Sequence, residues 1–302
     1  MAKKVLVLYY TQTGQLEEIV DSFLAGLQQP GIEVERVRVR LVNDFSFPWN
    51  SERFFDAMPD SVLAKPAPLQ PFTLKESRYD LVVFAYQPWY LSLSIPANSI
   101  LALPQVQQVL KNTPVVTLIG ARNMWISSQE KLKKILQPLG SRIVGNIALV
   151  DRTNNLASAV TILHWMMSGK KTEYLGVFPK PGVQDEDIKK AEVYGKTVVE
   201  YLLRGDYTGM QQQLFSQGAV DVKANLLFIE ERAPRLFNIW ANFIVKRANR
   251  KAWLVVFKYY LLFALFIVAP IVLTVNAVLF RPFFMGLVAR KKAYYAGLRE
   301  KI

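Results

Sequence analysis

No cysteine occurs anywhere in the 302 residues, and histidine occurs once. The first absence removes disulfides, thiolate metal sites and cysteine nucleophiles. The second, with no H-x-x-x-H spacing around His164, argues against a catalytic metal. Also missing are the G-x-x-x-x-G-K-S/T loop of nucleoside triphosphatases and the G-x-G-x-x-G turn of dinucleotide-binding proteins. An acidic surface is missing too. The net charge is +13, and from Arg232 onward thirteen Lys and Arg face one acid, Glu300, so residues 1–231 are nearly neutral.

What is present begins at residue 5. The apolar run Val5-Leu6-Val7-Leu8-Tyr9-Tyr10 leads into Thr11-Gln12-Thr13-Gly14-Gln15, and Leu16–Leu27 follows with helical apolar spacing. A buried strand thus delivers a hydroxyl-rich turn to a helix N-terminus. Open amides and the positive end of the helix dipole there can hold a phosphate without a lysine. The pattern T-x-T-G-N/Q resembles the flavodoxin family, whose loop holds the phosphate of FMN.

The remaining chain alternates strands with helices. Ile32–Leu41, Tyr79–Ala85, Pro114–Ile119 and Ser141–Val150 read as four more strands. Helical stretches fall around Ile95–Leu103, Gln129–Leu136, Leu156–Met167 and Asp185–Leu203. This predicts an α/β fold: a flavodoxin-like, doubly wound, five-stranded parallel sheet, with a C-terminal helical membrane anchor. All strand C-termini would share one rim. That rim gathers loops 11–15, 86–94 and 120–125.

These loops suit a flavin. Thr11, Gln12, Thr13, Gly14 and Gln15 are the expected phosphate contacts. Gln87, Pro88, Trp89, Gly120, Ala121 and Trp125 are expected around the ring, where aromatic faces stack and backbone donors approach. His164, beside Trp165 in an apolar helical pattern, reads as a helix-face residue rather than a catalytic one. Residues 44–72 interleave five prolines with Phe45, Phe47, Trp49, Phe54 and Phe55 and show no obvious element. Such a segment either folds over the rim as an apolar lid or packs on the sheet edge.

The chain divides at the sequence level into residues 1–205 as the FMN-binding domain, 206–231 as a connecting segment, and 232–302 as an interfacial helix, a membrane-embedded helix and a basic tail. Tyr259–Phe280 holds twenty-two uncharged residues, close to the length that crosses a bilayer core. Leu236–Val245 ahead of it has the spacing and basic rim of an interfacial helix. Basic residues on both flanks fit a single span or a re-entrant anchor bent at Pro270. Anionic headgroups are the expected contact of this tail. Nucleic acid is not, because the basic residues flank a lipid-like segment.

A closer resemblance rests on residues 48–63 (PWNSERFFDAMPDSVL), 85–96 (AYQPWYLSLSIP), 120–125 (GARNMW), 168–191 (SGKKTEYLGVFPKPGVQDEDIKKA) and 257–263 (FKYYLLF). These strings resemble the bacterial dialkylresorcinol condensing enzyme family of aryl-lipid and flexirubin-type pigment biosynthesis. The resemblance implies a ketosynthase partner and a lipophilic dialkyl substrate. A cysteine-free chain cannot carry an acyl group as thiolases do. The expected reaction is instead FMN-dependent oxidation of a 2,5-dialkylcyclohexane-1,3-dione to a dialkylresorcinol.

Arg122 is then a candidate to stabilise an enolate or the reduced flavin, with a carboxylate partner or a helix cap as its structural alternative. Asn123 would orient a carbonyl, and Tyr90 would move a proton or stack. The expected location is the cytoplasmic face of the bacterial inner membrane, with a homodimer compatible. Two other readings remain open: an NAD(P)H-dependent quinone reductase, hinted at by Leu16 where shuttle flavodoxins carry Thr, and a membrane scaffold that keeps the fold without the cofactor.

Overall fold

Strand β1 (Lys3–Tyr9) owes its interior place to the apolar run Val5–Tyr9, which is buried on both faces. Leu6 and Leu8 point to one layer of helices, and Val5, Val7 and Tyr9 to the other. The structure, a computed structural model, describes residues 2–302, without the side chains of 280–282. After β1 come α1 (Gln15–Leu27), β2 (Ile32–Arg38), α2 (Ser51–Val62) and β3 (Leu81–Tyr86). A small ribbon, β4 (Pro88–Trp89) and β5 (Ser92–Leu93), precedes α3 (Ile95–Ala102) and α4 (Pro104–Leu110). The domain continues through β6 (Val115–Ala121), α5 (Ile126–Leu136), β7 (Ile143–Val150), α6 (Asn155–Ser168) and α7 (Asp185–Arg204).

The five long strands are all parallel, in the order β2-β1-β3-β6-β7. This is the flavodoxin-like order, with its topological switch between β1 and β3 and its crevice at the strand C-termini. Helices α1 and α7 cover one face, and α3, α4 and α5 cover the other. The α1–α7 crossing is close because Gly26 and Gly195 meet there. A Cβ on Gly26 would lie 2.1 Å from the Glu192 carbonyl oxygen, and one on Gly195 2.2 Å from that of Phe23.

Several elements differ from the sequence expectation. Residues 44–72 contain α2, capped by the Asn50 side chain, which accepts from the Arg53 amide. Its helical spacing of Phe54, Phe55, Met58 and Val62 was obscured by the surrounding prolines, and Pro59 sits within the helix itself. The helix expected at Ile95–Leu103 is followed by a second, α4, started by Pro104.

Residues 206–231, the connecting segment, carry structure of their own. They include α8 (Met210–Ser216), whose Met210 and Leu214 are buried in the domain core. Val220 forms a parallel bridge beside Ala148 of β7. The expected interfacial helix starts earlier, as α9 (Ala224–Val245). It is followed by α10 (Arg250–Phe263), a π-helical turn over Ala264–Val268, and α11 (Ala269–Val275). Together Arg250–Leu279 form one helix of 30 residues, long and apolar enough by length and composition to cross a membrane. Pro270 lies at the start of α11 with no break in the helix. The chain ends in α12 (Met285–Tyr295) and a short tail.

Candidate functional site

The loop after β1 is shaped by its own hydroxyls. The Gly14 amide donates to Thr11 Oγ1 (3.1 Å), and the Gln15 amide to Thr13 Oγ1 (3.3 Å). Gly14 itself stands at φ 88° as the N-cap of α1, a left-handed conformation that glycine adopts without strain. The N-cap residue brings no side-chain cap to α1, so beyond Gln15, whose amide is taken by Thr13, the first turn keeps the amides of Leu16 and Glu17 open to an anion.

The two glutamines of the loop have other work. Gln12 Nε2 donates to the Phe45 carbonyl (3.0 Å), while Gln12 Oε1 accepts from the Tyr10 hydroxyl. Gln15 makes a two-way bond with the Val183 backbone, donating at 3.1 Å and accepting at 3.0 Å. Both side chains therefore anchor neighbouring segments. The phosphate-facing groups left are the hydroxyls and amides.

A cavity of about 400 Å³ opens beside this loop. One end is made of Gln12, Thr13, Gln87, Gly120, Arg122 and Asn123; the other is made of side chains from α2, α9 and the helix starting at Arg250. Pro88, Trp89, Tyr90 and Ala121 also line it, whereas Thr11 and Gly14 stand behind the lining. Segment 44–50 lies over the rim: the Tyr10 hydroxyl shares its proton between Gln12 Oε1 and Asp44 Oδ1, and the Trp49 amide donates to the Met166 carbonyl at 2.8 Å. Trp49 packs on Trp89 at 5.2 Å and stacks on Phe45 at 4.8 Å.

Three buried polar atoms on this wall have no hydrogen-bond partner: Trp49 Nε1, Gln87 Oε1 and Asn123 Oδ1. Each such atom costs about 1–3 kcal/mol if it stays unpaired. The three side chains that carry them all line this one cavity. Arg122 adds a charge. Its Nη1 donates to the Asn155 carbonyl at 2.9 Å, and no ion pair neutralises it among the described residues. Burial pushes its pKa down to about 10, which leaves it a cation at neutral pH. Asn155, the first residue of α6, also accepts from Asn123 Nδ2 at 2.6 Å. It thereby orients both neighbours.

Two expected roles change. Trp125 does not line the cavity; its side chain is 2 % exposed and packs in the core with Phe84 and Tyr86. Position 125 falls one residue before α5, where the chain has turned back over the sheet. The Tyr90 hydroxyl donates to the Phe54 carbonyl. Burial raises its pKa well above the ordinary tyrosine value, and with its hydroxyl proton held by α2, Tyr90 lines the cavity as part of its wall.

His164 stacks on Tyr174, with ring centroids 4.0 Å apart, and stays outside the cavity lining. Lining residues that sequence reasoning missed are Trp165 and Met166 of α6, Asn155, and Phe237 and Trp240 of α9. They come from helices remote in sequence. The aromatic spacing of α9 was their only available signal.

No protein-family model matches the chain, and no curated protein matches it. Among solved structures it is similar to an FMN-bound flavoprotein from Lactobacillus acidophilus: 16% identity over 48% of this chain and 92% of that one, TM-score 0.39. It is also similar to a flavodoxin-like domain from Synechococcus, at 14% identity over 66% and 99% of the two chains, TM-score 0.34. A third is a flavone reductase, at 14% identity over 67% and 63%, TM-score 0.36. The fold assignment rests on strand order and not on these likenesses.

Proposed function

We propose that the cavity holds FMN and that the protein is a membrane-attached oxidoreductase, working at the cytoplasmic face, on a lipophilic cyclic dione. The observation that carries this reading is one cavity whose lining joins side chains with unpaired polar atoms and a half-buried cation to an aromatic and aliphatic wall. The first turn of α1, with Thr13 at the cavity and Thr11 shaping the loop behind it, fits a phosphate monoester. Gln87 Oε1 is an acceptor suited to a ring N–H, and Trp49 Nε1 a donor suited to a ring carbonyl. When bound, FMN supplies a two-electron acceptor, so a 2,5-dialkylcyclohexane-1,3-dione would give up a hydride and a proton and become a dialkylresorcinol.

The chain's own residues supply the rest. Arg122 stabilises negative charge on a dione oxygen as it enolises. Asn155 holds the Arg122 side chain and Asn123 in place. Trp49, Phe54 and Phe55 close the rim against water. Phe237, Trp240 and Tyr260 accommodate alkyl chains. The test is turnover of a synthetic dione in air without nicotinamide, with the product read by mass spectrometry. A product lighter by two hydrogens is expected; unchanged dione with flavin-loaded protein would overturn the reading.

A further inference from the structure

We infer that helix Arg250–Leu279 does not cross the bilayer but lies in the plane of one leaflet, with both of its ends on the side of the α/β domain. The inference rests on the membrane attachment proposed above and adds its geometry. A crossing helix must separate its ends by the hydrocarbon thickness, about 30 Å. Here both ends are tied to one domain. At the start, Arg250 pairs with Asp56 at 2.9 Å, and Leu254 and Phe257 pack on Phe55 and Met58 of α2. Beyond the other end, Lys291 pairs with Glu231 at 2.7 Å, Tyr294 donates to Glu130 at 2.8 Å, and Ala296 is buried in the sheet's own core cluster.

The neighbouring helix strengthens the case. α9 packs along α10, α11 and residues 276–280, and is itself fixed at both ends. Leu227 and Glu230 seat it on the sheet side, with Glu230 accepting from the Ile126 amide at the start of α5. Ala241 and Ile244 seat its far end on α2. Were Arg250–Leu279 to cross, α9 would have to accompany it and carry Glu231, Arg232 and Arg235 to bilayer depth. Charges there are costly.

The outward face has the composition of a lipid contact. Val255, Val256, Tyr259, Phe263, Ile267, Val268, Ile271, Val275, Val278 and Leu279 are all exposed. They recur every three or four residues, so they form one stripe along about 36 Å of helix. Phe283, Phe284, Met285 and Leu287 continue the exposed apolar surface. The opposite flank of the same helix, through Leu261, Ala264, Leu265 and Ala269, walls the cavity. Thirteen Lys and Arg stand from Arg232 onward against one acid, and although Arg250, Lys251 and Lys291 are paired within the protein, the excess positive charge of this region favours anionic headgroups. The occupant of the stripe is therefore the outer part of an anionic leaflet.

The cysteine-free chain permits a direct test. Single variants Val256→Cys, Phe263→Cys, Ile271→Cys and Val278→Cys carry a bimane label, and the full-length protein is bound to vesicles with lipids brominated at known depths. The in-plane helix predicts the same quenching depth at all four positions. A profile deepest at Phe263 and Ile271 and shallow at the two outer sites would overturn it. Lys196→Cys on α7 and Lys301→Cys in the tail should react with an impermeant maleimide from the same side of native membranes; reaction from opposite sides would also overturn it. Protein that fails to float with vesicles refutes membrane attachment itself, whereas bound protein with a crossing profile refutes only this geometry.

Discussion

The two ends of the cavity are built on opposite principles. The end at the strand C-termini keeps polar groups unpaired inside protein: Gln87 Oε1, Asn123 Oδ1 and Trp49 Nε1 have no partners, and among the described residues Arg122 forms no ion pair. The end under α9 and α10 holds apolar side chains whose helix exposes further apolar side chains on its outer face. A soluble protein tolerates neither feature without a reason, since the first forfeits hydrogen bonds and the second leaves a large apolar patch in water. A ligand resolves the first and a leaflet the second. The single cavity between them joins a polar, redox-suited end to a lipid-suited one.

The sharpest way to break this contrast is Arg122→Ala. It should lower kcat/KM for the dione by about 100- to 1,000-fold, the usual cost of removing one donor to a developing oxyanion. Bound FMN should be retained, and Arg122→Lys should recover part of the loss. Full turnover in Arg122→Ala would remove the residue from the chemistry.

A smaller effect separates ligand from architecture. Gln87→Leu removes an acceptor that only a ligand could pair, so FMN affinity should fall roughly tenfold by titration calorimetry. The melting temperature of flavin-free protein should hold or rise. A falling melting temperature with unchanged affinity would make Gln87 structural.

At the apolar end the expected effect is graded. Each methylene removed from the substrate chain should cost about fourfold in kcat/KM, from about 0.8 kcal/mol per buried CH₂. A flat dependence on chain length would mean that the α9–α10 wall does not hold the chain.

The smallest effect concerns the seat of α9. Burial pushes the Glu230 pKa up to about 8, against the opposing effect of backbone donors at Ile126, Ser127 and Trp125. That value lies above the roughly 4.3 of an exposed glutamate, so the folded protein holds a proton that the unfolded chain releases. The contribution is full below about pH 4 and is lost as pH rises through 8. Melting temperature should fall by a few degrees between pH 6 and 9, and Glu230→Gln should flatten that slope. Parallel slopes in the two proteins would exclude Glu230 as the group responsible.

The sheet was legible in the sequence because parallel strands buried on both faces announce themselves as apolar runs. The loop at Thr11–Gln15 was legible because a strand, a hydroxyl-rich turn and a helix follow one another directly. Other features depend on tertiary geometry. Whether Trp125 turns to the cavity or the core depends on where the chain bends into α5. Helix α2 was hidden by prolines, one of which it contains. Trp165, Phe237 and Trp240 reach the site from helices whose packing no local pattern specifies. Pro270 suggested a bend, yet the preceding π-helical turn lets the helix pass it unbroken.

The central claim is that one cavity brings a lipid-borne dione to a flavin. It is tested most directly by mixing anaerobic, vesicle-bound, FMN-loaded protein with vesicles carrying a long-chain 2,5-dialkylcyclohexane-1,3-dione, with no nicotinamide present, and recording the flavin absorption. The account predicts bleaching of the flavin band with formation of the resorcinol, and far slower bleaching by unsubstituted cyclohexane-1,3-dione. A flavin that ignores the long-chain dione and bleaches with NADPH would contradict it.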